Sequence, residues 1–169
     1  MNGNDTAASA AEKRRHRCCF TGHRPRSLKR PADDVKVDLE NSILAAVREG
    51  YTTFLTGMGC GVDIWAGEIV LRLKATRPEL HLIAVVPFPG MEEEWPANWQ
   101  HRYRELLTRV DFVKFIRPGY AEGAYQERNE WMVRHASLVI AVYNGTPGGT
   151  RNTIAFAERN QVPVKLLPG

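Results

Sequence analysis

The chain has 169 residues, 43% of them hydrophobic and 25% charged, which is enough to bury one core and argues against two full domains. The formal net charge is +4, and residues 1–17 hold four basic and two acidic side chains. Residues 18–169 are therefore close to neutral, which gives weak support for duplex nucleic-acid binding. Apolar runs are too short for a membrane helix, and the three cysteines have no spacing suited to zinc or a disulfide framework. We therefore expect a cytoplasmic protein with no membrane contact and no metal site, made of a disordered basic tail (residues 1–16) and a single domain (residues 17–169).

Short apolar runs alternate with helical spacings along the chain. The apolar runs predict strands at residues 17–21, 52–55, 80–86, 111–116, 138–143 and 162–167. Between them, helices are predicted from residue 33 or 34 to a stop at Gly50, from within the glycine-rich turn after residue 56, and over about residues 98–107, 127–136 and 150–159. The strands are too apolar to be half exposed. We therefore predict an α/β fold: a Rossmann-like three-layer sandwich with a mostly parallel sheet and helices on both faces.

Three glycine-bearing turns directly follow predicted strands, and two of them open a helix. They are Thr21-Gly22-His23-Arg24, residues 56–63 with the sequence TGMGCGVD, and Pro147-Gly148-Gly149-Thr150. Glycine lets the backbone approach a ligand closely, and a helix that starts there directs free N–H groups at an anion. Ligands of parallel sheets bind beyond the carboxyl ends of the strands. The turns therefore predict a pocket for the phosphate of a nucleotide or nucleotide-derived molecule, although neither the G-x-G-x-x-G fingerprint nor a G-x-x-x-x-G-K-[ST] loop is present.

Several further motifs occur in a fixed order along the chain. They are Phe20-Thr21-Gly22-His23-Arg24-Pro25, Gly57-x-Gly59-x-Gly61-Val62-Asp63-x-Trp65-Ala66, Pro87-Phe88, Trp99 and Tyr103, Arg128-Asn129-x-x-Met132-Val133, and Val142-Tyr143-x-Gly145-x-x-Gly148-Gly149-Thr150. From about residue 18 to the C-terminus, this order resembles the YpsA-like branch of the SLOG superfamily, which also contains the lonely-guy phosphoribohydrolases and the core of DNA-processing protein A. The resemblance implies a Rossmann-like fold that binds nucleotides or their derivatives, and it is compatible with a homo-oligomer.

The last glycine motif departs from the catalytic pattern of the phosphoribohydrolases. Their P-G-G-x-G-T-x-x-E signature ends in a catalytic glutamate, whereas this chain lacks the intervening glycine and has Thr153 in the glutamate's place. Glycosidic cleavage generally requires a carboxylate near the anomeric carbon. The catalytic residue is therefore unknown, and Asp63 is the best candidate; it could equally bind a ribose hydroxyl or complement the dipole of its helix.

The predicted ligand-binding residues come from the ends of several strands. They are Thr21, Gly22, His23, Arg24, Gly57, Met58, Gly59, Gly61, Asp63, Pro87, Phe88, Arg128, Asn129, Tyr143, Gly148, Gly149 and Thr150. Structural alternatives stay open for most of them. The glycines of residues 57–61 could serve only a tight turn and helix packing, Thr150 could be an ordinary N-cap, and Arg128 could form a surface salt bridge.

Aromatic residues cluster after the third predicted strand. Trp99 and Tyr103 lie four apart on one helical face, which favours packing in the core, whereas Trp95 is the better candidate for stacking on a base. The acidic run at residues 92–94 is predicted to be solvated, although it would repel an anionic ligand if it folded inward.

The leading functional hypothesis is a cytoplasmic binding protein or sensor for a small nucleotide-like ligand. ADP-ribose, NAD and a nucleoside monophosphate are the candidate ligands, and no further cofactor is predicted. The alternative is an enzyme that cleaves the glycosidic bond of a nucleotide or nucleotide sugar with Asp63 as its carboxylate. Single-stranded nucleic-acid binding is disfavoured because it needs a basic groove with stacking aromatics, and a protein partner remains open.

Overall fold

The computed structural model describes residues 3–169, in which strands and helices alternate. The strands are β1 (Arg17–Gly22), β2 (Thr53–Thr56), β3 (His81–Val86), β4 (Phe112–Phe115), β5 (Leu138–Tyr143) and β6 (Val164–Pro168). The helices are α1 (Gly3–Arg15), α2 (Ala32–Arg48), α3 (Val62–Lys74), α4 (Ala97–Arg109), α5 (Ala124–Arg134) and α6 (Gly149–Arg159), with one 3₁₀ turn at Pro25–Ser27.

All strands belong to one parallel sheet in the order β4-β3-β2-β1-β5-β6. The chain winds outward from β1 to β4 and then returns to the other side of β1, so the winding direction reverses between β1 and β5. Helices α2, α3 and α4 cover one face, while α5 and α6 cover the other. The predicted Rossmann-like three-layer sandwich is confirmed. The reversal matters for function, because it opens a crevice at the carboxyl ends of β1 and β5.

Successive side chains of the central strands point to opposite faces of the sheet, so the core is divided between the two faces. In β1, Cys18 and Phe20 pack beneath α2 and α3, whereas Cys19 packs beneath α5 and α6. The Phe20 ring stacks on that of Phe54 in β2, with 5.9 Å between centroids. Because both faces are buried, the strands are almost entirely apolar, as expected for a parallel sheet covered on both sides.

The N-terminal region differs from the predicted disordered tail. Helix α1 covers Gly3–Arg15, and Arg14 Nε donates a hydrogen bond of 3.0 Å to the carbonyl of Ala136. The part of the tail prediction that concerns residues 1 and 2 lies outside the described residues. Across the described range, no helix has the length and apolar character needed to cross a membrane.

Candidate functional site

A cavity of about 380 Å³ lies at the crevice between β1 and β5. Most of the predicted ligand-binding residues line it: Thr21, Gly22, His23, Arg24, Gly59, Asp63, Arg128, Asn129, Gly148, Gly149 and Thr150. They come from the turns after β1, β2 and β5 and from helix α5. The parallel sheet brings them together because its strands all end at the same edge.

Arg128 is a buried cation in the wall of this cavity. Its side chain extends from α5, and the residue is only 7% exposed. Nε donates to Asn129 Oδ1 at 2.7 Å, and Nη1 donates to the carbonyl oxygen of Gly57. Within the described part of the chain, Nη2 makes no hydrogen bond. Burial lowers the pKa of Arg128, while the nearby Asp63 carboxylate opposes that shift. A surface salt bridge, the structural alternative for this residue, is thereby excluded.

Asp63 lines the same cavity, and one of its carboxylate oxygens has no hydrogen-bond partner among the described residues. Its Oδ2 accepts a hydrogen bond from the Gly59 N–H at 3.1 Å, whereas its buried Oδ1 has no partner among the described residues. Burial raises the pKa of Asp63, although the charge of Arg128, the Gly59 hydrogen bond and the charge of Arg24 each lower it. A buried acceptor without a partner is costly.

The glycines of the turn after β2 do not share one role. A Cβ on Gly57 would lie 2.7 Å from Arg128 Nη1 and 2.9 Å from Asp63 Oδ2. A Cβ on Gly61 would lie 2.8 Å from Pro25 Cδ, and this glycine also has a left-handed φ of +90°. Both therefore permit close packing inside the protein, and Gly59 is the glycine of this turn that lines the cavity.

The backbone at the start of α6 has open space around it in the cavity. The N-cap is Gly148, with φ of +144° and no side-chain cap, so the interpretation of Thr150 as N-cap does not hold. Nothing lies within 4 Å of a Cβ built on Gly148 or Gly149. The first backbone bond of the helix runs from the Asn152 N–H to the Gly148 carbonyl. The preceding N–H groups of the first turn are therefore available to an anion.

Thr153, which stands where the phosphoribohydrolases have their catalytic glutamate, has a structural role. Thr153 is 1% exposed, and its hydroxyl donates to the Gly149 carbonyl at 2.8 Å. This hydrogen bond lies inside α6, so Thr153 supplies no group to the cavity. Asp63 is the carboxylate that the cavity contains.

Other predicted site residues lie behind the cavity wall. Met58 is fully buried and has a left-handed φ of +62°. The Pro87 carbonyl accepts a backbone hydrogen bond of 3.0 Å from Arg117. Tyr143 stacks on His23, with 5.6 Å between ring centroids, and so supports a residue that lines the cavity. Burial, followed by the charge of Lys29, lowers the pKa of His23, whose buried Nε2 has no partner among the described residues.

A second cavity, of about 1060 Å³, continues from the first. The two share Arg24, Cys60 and Tyr125 as lining residues. The predicted residue Phe88 lines this second cavity rather than the first. Burial raises the pKa of the Cys60 thiol despite the nearby Arg24, so the structure gives no support to a thiolate nucleophile.

Two tyrosines of the site were missed by the sequence analysis. Tyr120 and Tyr125 line the larger cavity, and Tyr125 also lines the smaller one. Tyr120 lies in the loop between β4 and α5, where no motif marks it. Tyr125 lies one helical turn before Arg128, on the same side of α5, and that spacing was a signal that could have identified it.

The tryptophans were predicted more closely than the acidic run. Tyr103 is 2% exposed and Trp99 packs on Trp65 at 6.1 Å, so both belong to the core or its edge, as expected. Trp95 lines the larger cavity, and the Arg24 guanidinium lies 5.5 Å from its ring centroid. Of the acidic run, Glu92 is buried beside Arg104, contrary to the expected solvated run.

The doubly wound sheet, with a polar cavity where its winding reverses, defines a Rossmann-like protein with one candidate ligand site. The chain belongs to the YpsA family of SLOG proteins: the family model described as "YspA SLOG family" matches residues 18–167. The family resemblance seen in the motifs is thereby confirmed.

Relatives of similar length occur in bacteria. The chain is 32% identical to UPF0398 protein BH1768 of Halalkalibacterium halodurans over 130 residues, which is 75% of this chain and 69% of that protein. It is 29% identical to the SPbeta prophage-derived protein YoqJ of Bacillus subtilis over 145 residues, 76% of this chain and 85% of that protein.

Solved structures with the same fold include two DNA processing proteins. DNA processing protein A from Helicobacter pylori, described for its single-stranded DNA binding mode, matches with a TM-score of 0.66 and 18% identity over 95% of this chain and 68% of its own. The Streptococcus pneumoniae protein matches with a TM-score of 0.65 and 19% identity over 92% of this chain and 51% of its own. Identities at this level show a shared fold.

Proposed function

We propose that this protein binds a nucleotide or nucleotide-derived small molecule and holds its phosphate at the start of α6. The observation that supports this most strongly is the pairing of Arg128, a buried cation, with the open first turn of α6 in one cavity. Burying a cation is costly unless it is paired, and here Nη2 is left without a partner among the described residues. A bound phosphate would supply an acceptor for Nη2 and a second anion beside the Asp63 carboxylate.

The electrostatics of the cavity favour one phosphate group rather than many. Arg24 and Arg128 face a single carboxylate, that of Asp63, so the lining carries a small positive excess when His23 is neutral. The lowered pKa of His23 keeps that imidazole neutral near pH 7. Its buried Nε2 is a further polar atom without a hydrogen-bond partner in the described chain.

Replacement of Arg128 by lysine tests this proposal. Lysine keeps the positive charge but cannot reproduce the forked hydrogen bonds to Asn129, to Gly57 and to a phosphate. We expect Arg128→Lys to weaken binding of AMP and ribose 5-phosphate at least about tenfold by isothermal titration calorimetry, since one hydrogen bond to a charged group contributes about 1.5–3 kcal/mol.

The matched control is Arg134→Lys, on the same helix. Arg134 lies six residues further along α5 and pairs with Glu130 at an exposed position. It should bind both phosphates like the wild type. Equal affinity of the two variants, each shown to be folded by thermal unfolding, would contradict the role of Arg128. A single-stranded oligonucleotide included in the titrations tests the ligand class suggested by the DNA processing proteins.

A second candidate function, glycosidic cleavage of the same ligand, rests on Asp63. Its buried, unpartnered Oδ1 and its raised pKa are features that catalytic carboxylates share. Mass spectrometry of the protein after incubation with AMP, ADP-ribose and NAD separates the two functions. Recovery of intact ligand from a complex supports a binding protein, whereas release of the free base by the wild type, and not by Asp63→Asn, supports an enzyme.

A further inference from the structure

Three aromatic rings form one wall of the larger cavity, and two of them, Tyr120 and Tyr125, lie outside the buried core. The rings of Tyr120 and Tyr125 meet the Phe88 ring edge-on, with centroids 5.5 and 5.6 Å away and interplanar angles of 88° and 82°. Phe88 is 9% exposed, whereas Tyr120 is 75% and Tyr125 37% exposed. An exposed ring and a partly exposed ring, each in contact with a buried third ring, form a surface on which a planar group can lie.

Tyr125 connects this wall to the phosphate end of the groove. Its ring lies 5.9 Å from the Arg128 guanidinium on one side and contacts Phe88 on the other. Because Tyr125 lines both cavities, a ligand whose anion reaches Arg128 would extend its other end along the aromatic wall. The volume of about 1060 Å³ at that end accommodates a purine with room to spare.

The charges around the larger cavity restrict what that other end can be. Glu93 and Glu94 line it together with Arg24 and Arg26, so the charges of its lining balance, whereas the smaller cavity has a small positive excess. Carboxylates are acceptors only, so Glu93 and Glu94 suit the N–H edge of a base. The polarity therefore differs along the groove, with an excess cation and free backbone N–H groups at one end and aromatic rings with balanced charges at the other.

We propose that the larger cavity is a nucleobase subsite, and that the ligand is a nucleoside carrying phosphate at one end only. This inference rests on the proposed function, because it takes the anion at Arg128 as the fixed end of the ligand. It separates a nucleoside monophosphate from an oligonucleotide, whose next phosphate would lie in the larger cavity, where the lining has no positive excess.

Calorimetric titration of three probes tests the subsite: ribose 5-phosphate, AMP and a 5′-phosphorylated adenine dinucleotide. AMP should bind at least about tenfold more tightly than ribose 5-phosphate, since stacking of a base on an aromatic side chain commonly contributes at least that much. The dinucleotide should bind no more tightly than AMP. Tyr120→Ala should remove about tenfold of the AMP affinity and leave ribose 5-phosphate binding unchanged. Phe112→Ala is the control, because it removes a similarly exposed ring, 59% accessible, at the amino end of β4.

The outcomes distinguish this inference from the function on which it rests. Equal affinities for AMP and ribose 5-phosphate, or a Tyr120→Ala protein that binds AMP like the wild type, would overturn the nucleobase subsite and leave the phosphate site standing. Tighter binding of the dinucleotide than of AMP would overturn the single-phosphate restriction. Failure of all three probes to bind would overturn the phosphate site and the subsite together.

Discussion

Replacing Gly149 with alanine should stabilise the protein and weaken ligand binding at the same time. Gly149 is the first residue of α6, its φ lies outside the left-handed region, and nothing lies within 4 Å of the added Cβ. Alanine is therefore compatible with the native backbone, and the loss of unfolded-state entropy should raise the free energy of unfolding by about 0.4–1 kcal/mol. For a chain of this size, that corresponds to a rise in Tm of about 1–4 °C.

The same methyl group would stand in the cavity beside the free N–H groups of the first turn of α6. A phosphate held there would have to move outward and would lose at least one charged hydrogen bond, which predicts a loss of affinity of about tenfold or more. Thermal unfolding with and without ribose 5-phosphate measures both effects, because a ligand at a hundred times its dissociation constant stabilises the native state by about 2.7 kcal/mol.

The matched control is Gly119→Ala, in the loop before α5. Gly119 also has an open Cβ position and no left-handed φ, and it lines neither cavity. It should show a similar gain in Tm and keep the full ligand-induced shift. If Gly149→Ala keeps the same ligand-induced shift as Gly119→Ala, the phosphate is not held at the start of α6.

Three further substitutions have predicted effects on stability, each measured by denaturant unfolding. Gly57→Ala should destabilise by about 1–3 kcal/mol, because its Cβ would lie 2.7 Å from buried Arg128; an unchanged midpoint would contradict the packing role of this glycine. Gln161→Gly should stabilise by up to about 1 kcal/mol, because the exposed Gln161 has a left-handed φ of +58° just after α6, and a loss of stability would refute that. Burial alone would raise the pKa of Asp111, but hydrogen bonds from Lys74 and a β3 backbone N–H lower it overall. The stabilisation from Asp111 is therefore present above about pH 4 and lost as the pH falls further. Asp111→Asn should lower the free energy of unfolding by about 1 kcal/mol at pH 7 and by little at pH 3. A difference in stability that does not depend on pH would contradict the ion pair.

The order of elements was predictable because the sequence carries two clear periodicities. Strands buried on both faces appear as continuous apolar runs, and the intervening helices show a 3.6-residue spacing, so the α/β class followed directly. The start of α5 was placed at residue 127, whereas the helix begins at Ala124 after Gly123, which adopts a left-handed φ of +79°. Helix α1 was missed because its sequence is polar and has no spaced apolar residues that a pattern could show.

The site was predictable as a set of turns but not as a set of contacts. Proximity of Asp63 and Arg128 depends on α5 crossing beneath the sheet from β4 to β5, which spacing in the sequence does not show. The separate roles of Gly57 and Gly59 depend on which of them faces Arg128, a distinction that requires coordinates. The position of Tyr120 depends on the path of an irregular loop, where no periodicity operates.

The most direct measurement of the phosphate site is a titration of the ¹⁵N-labelled protein with AMP, followed through its backbone amide resonances. If the phosphate binds the first turn of α6, the amides of Gly149, Thr150 and Arg151 should show the largest shifts, and these should saturate together with the calorimetric binding curve. If AMP binds and those amides do not move, while shifts appear elsewhere on the protein, the phosphate site proposed at the start of α6 is wrong.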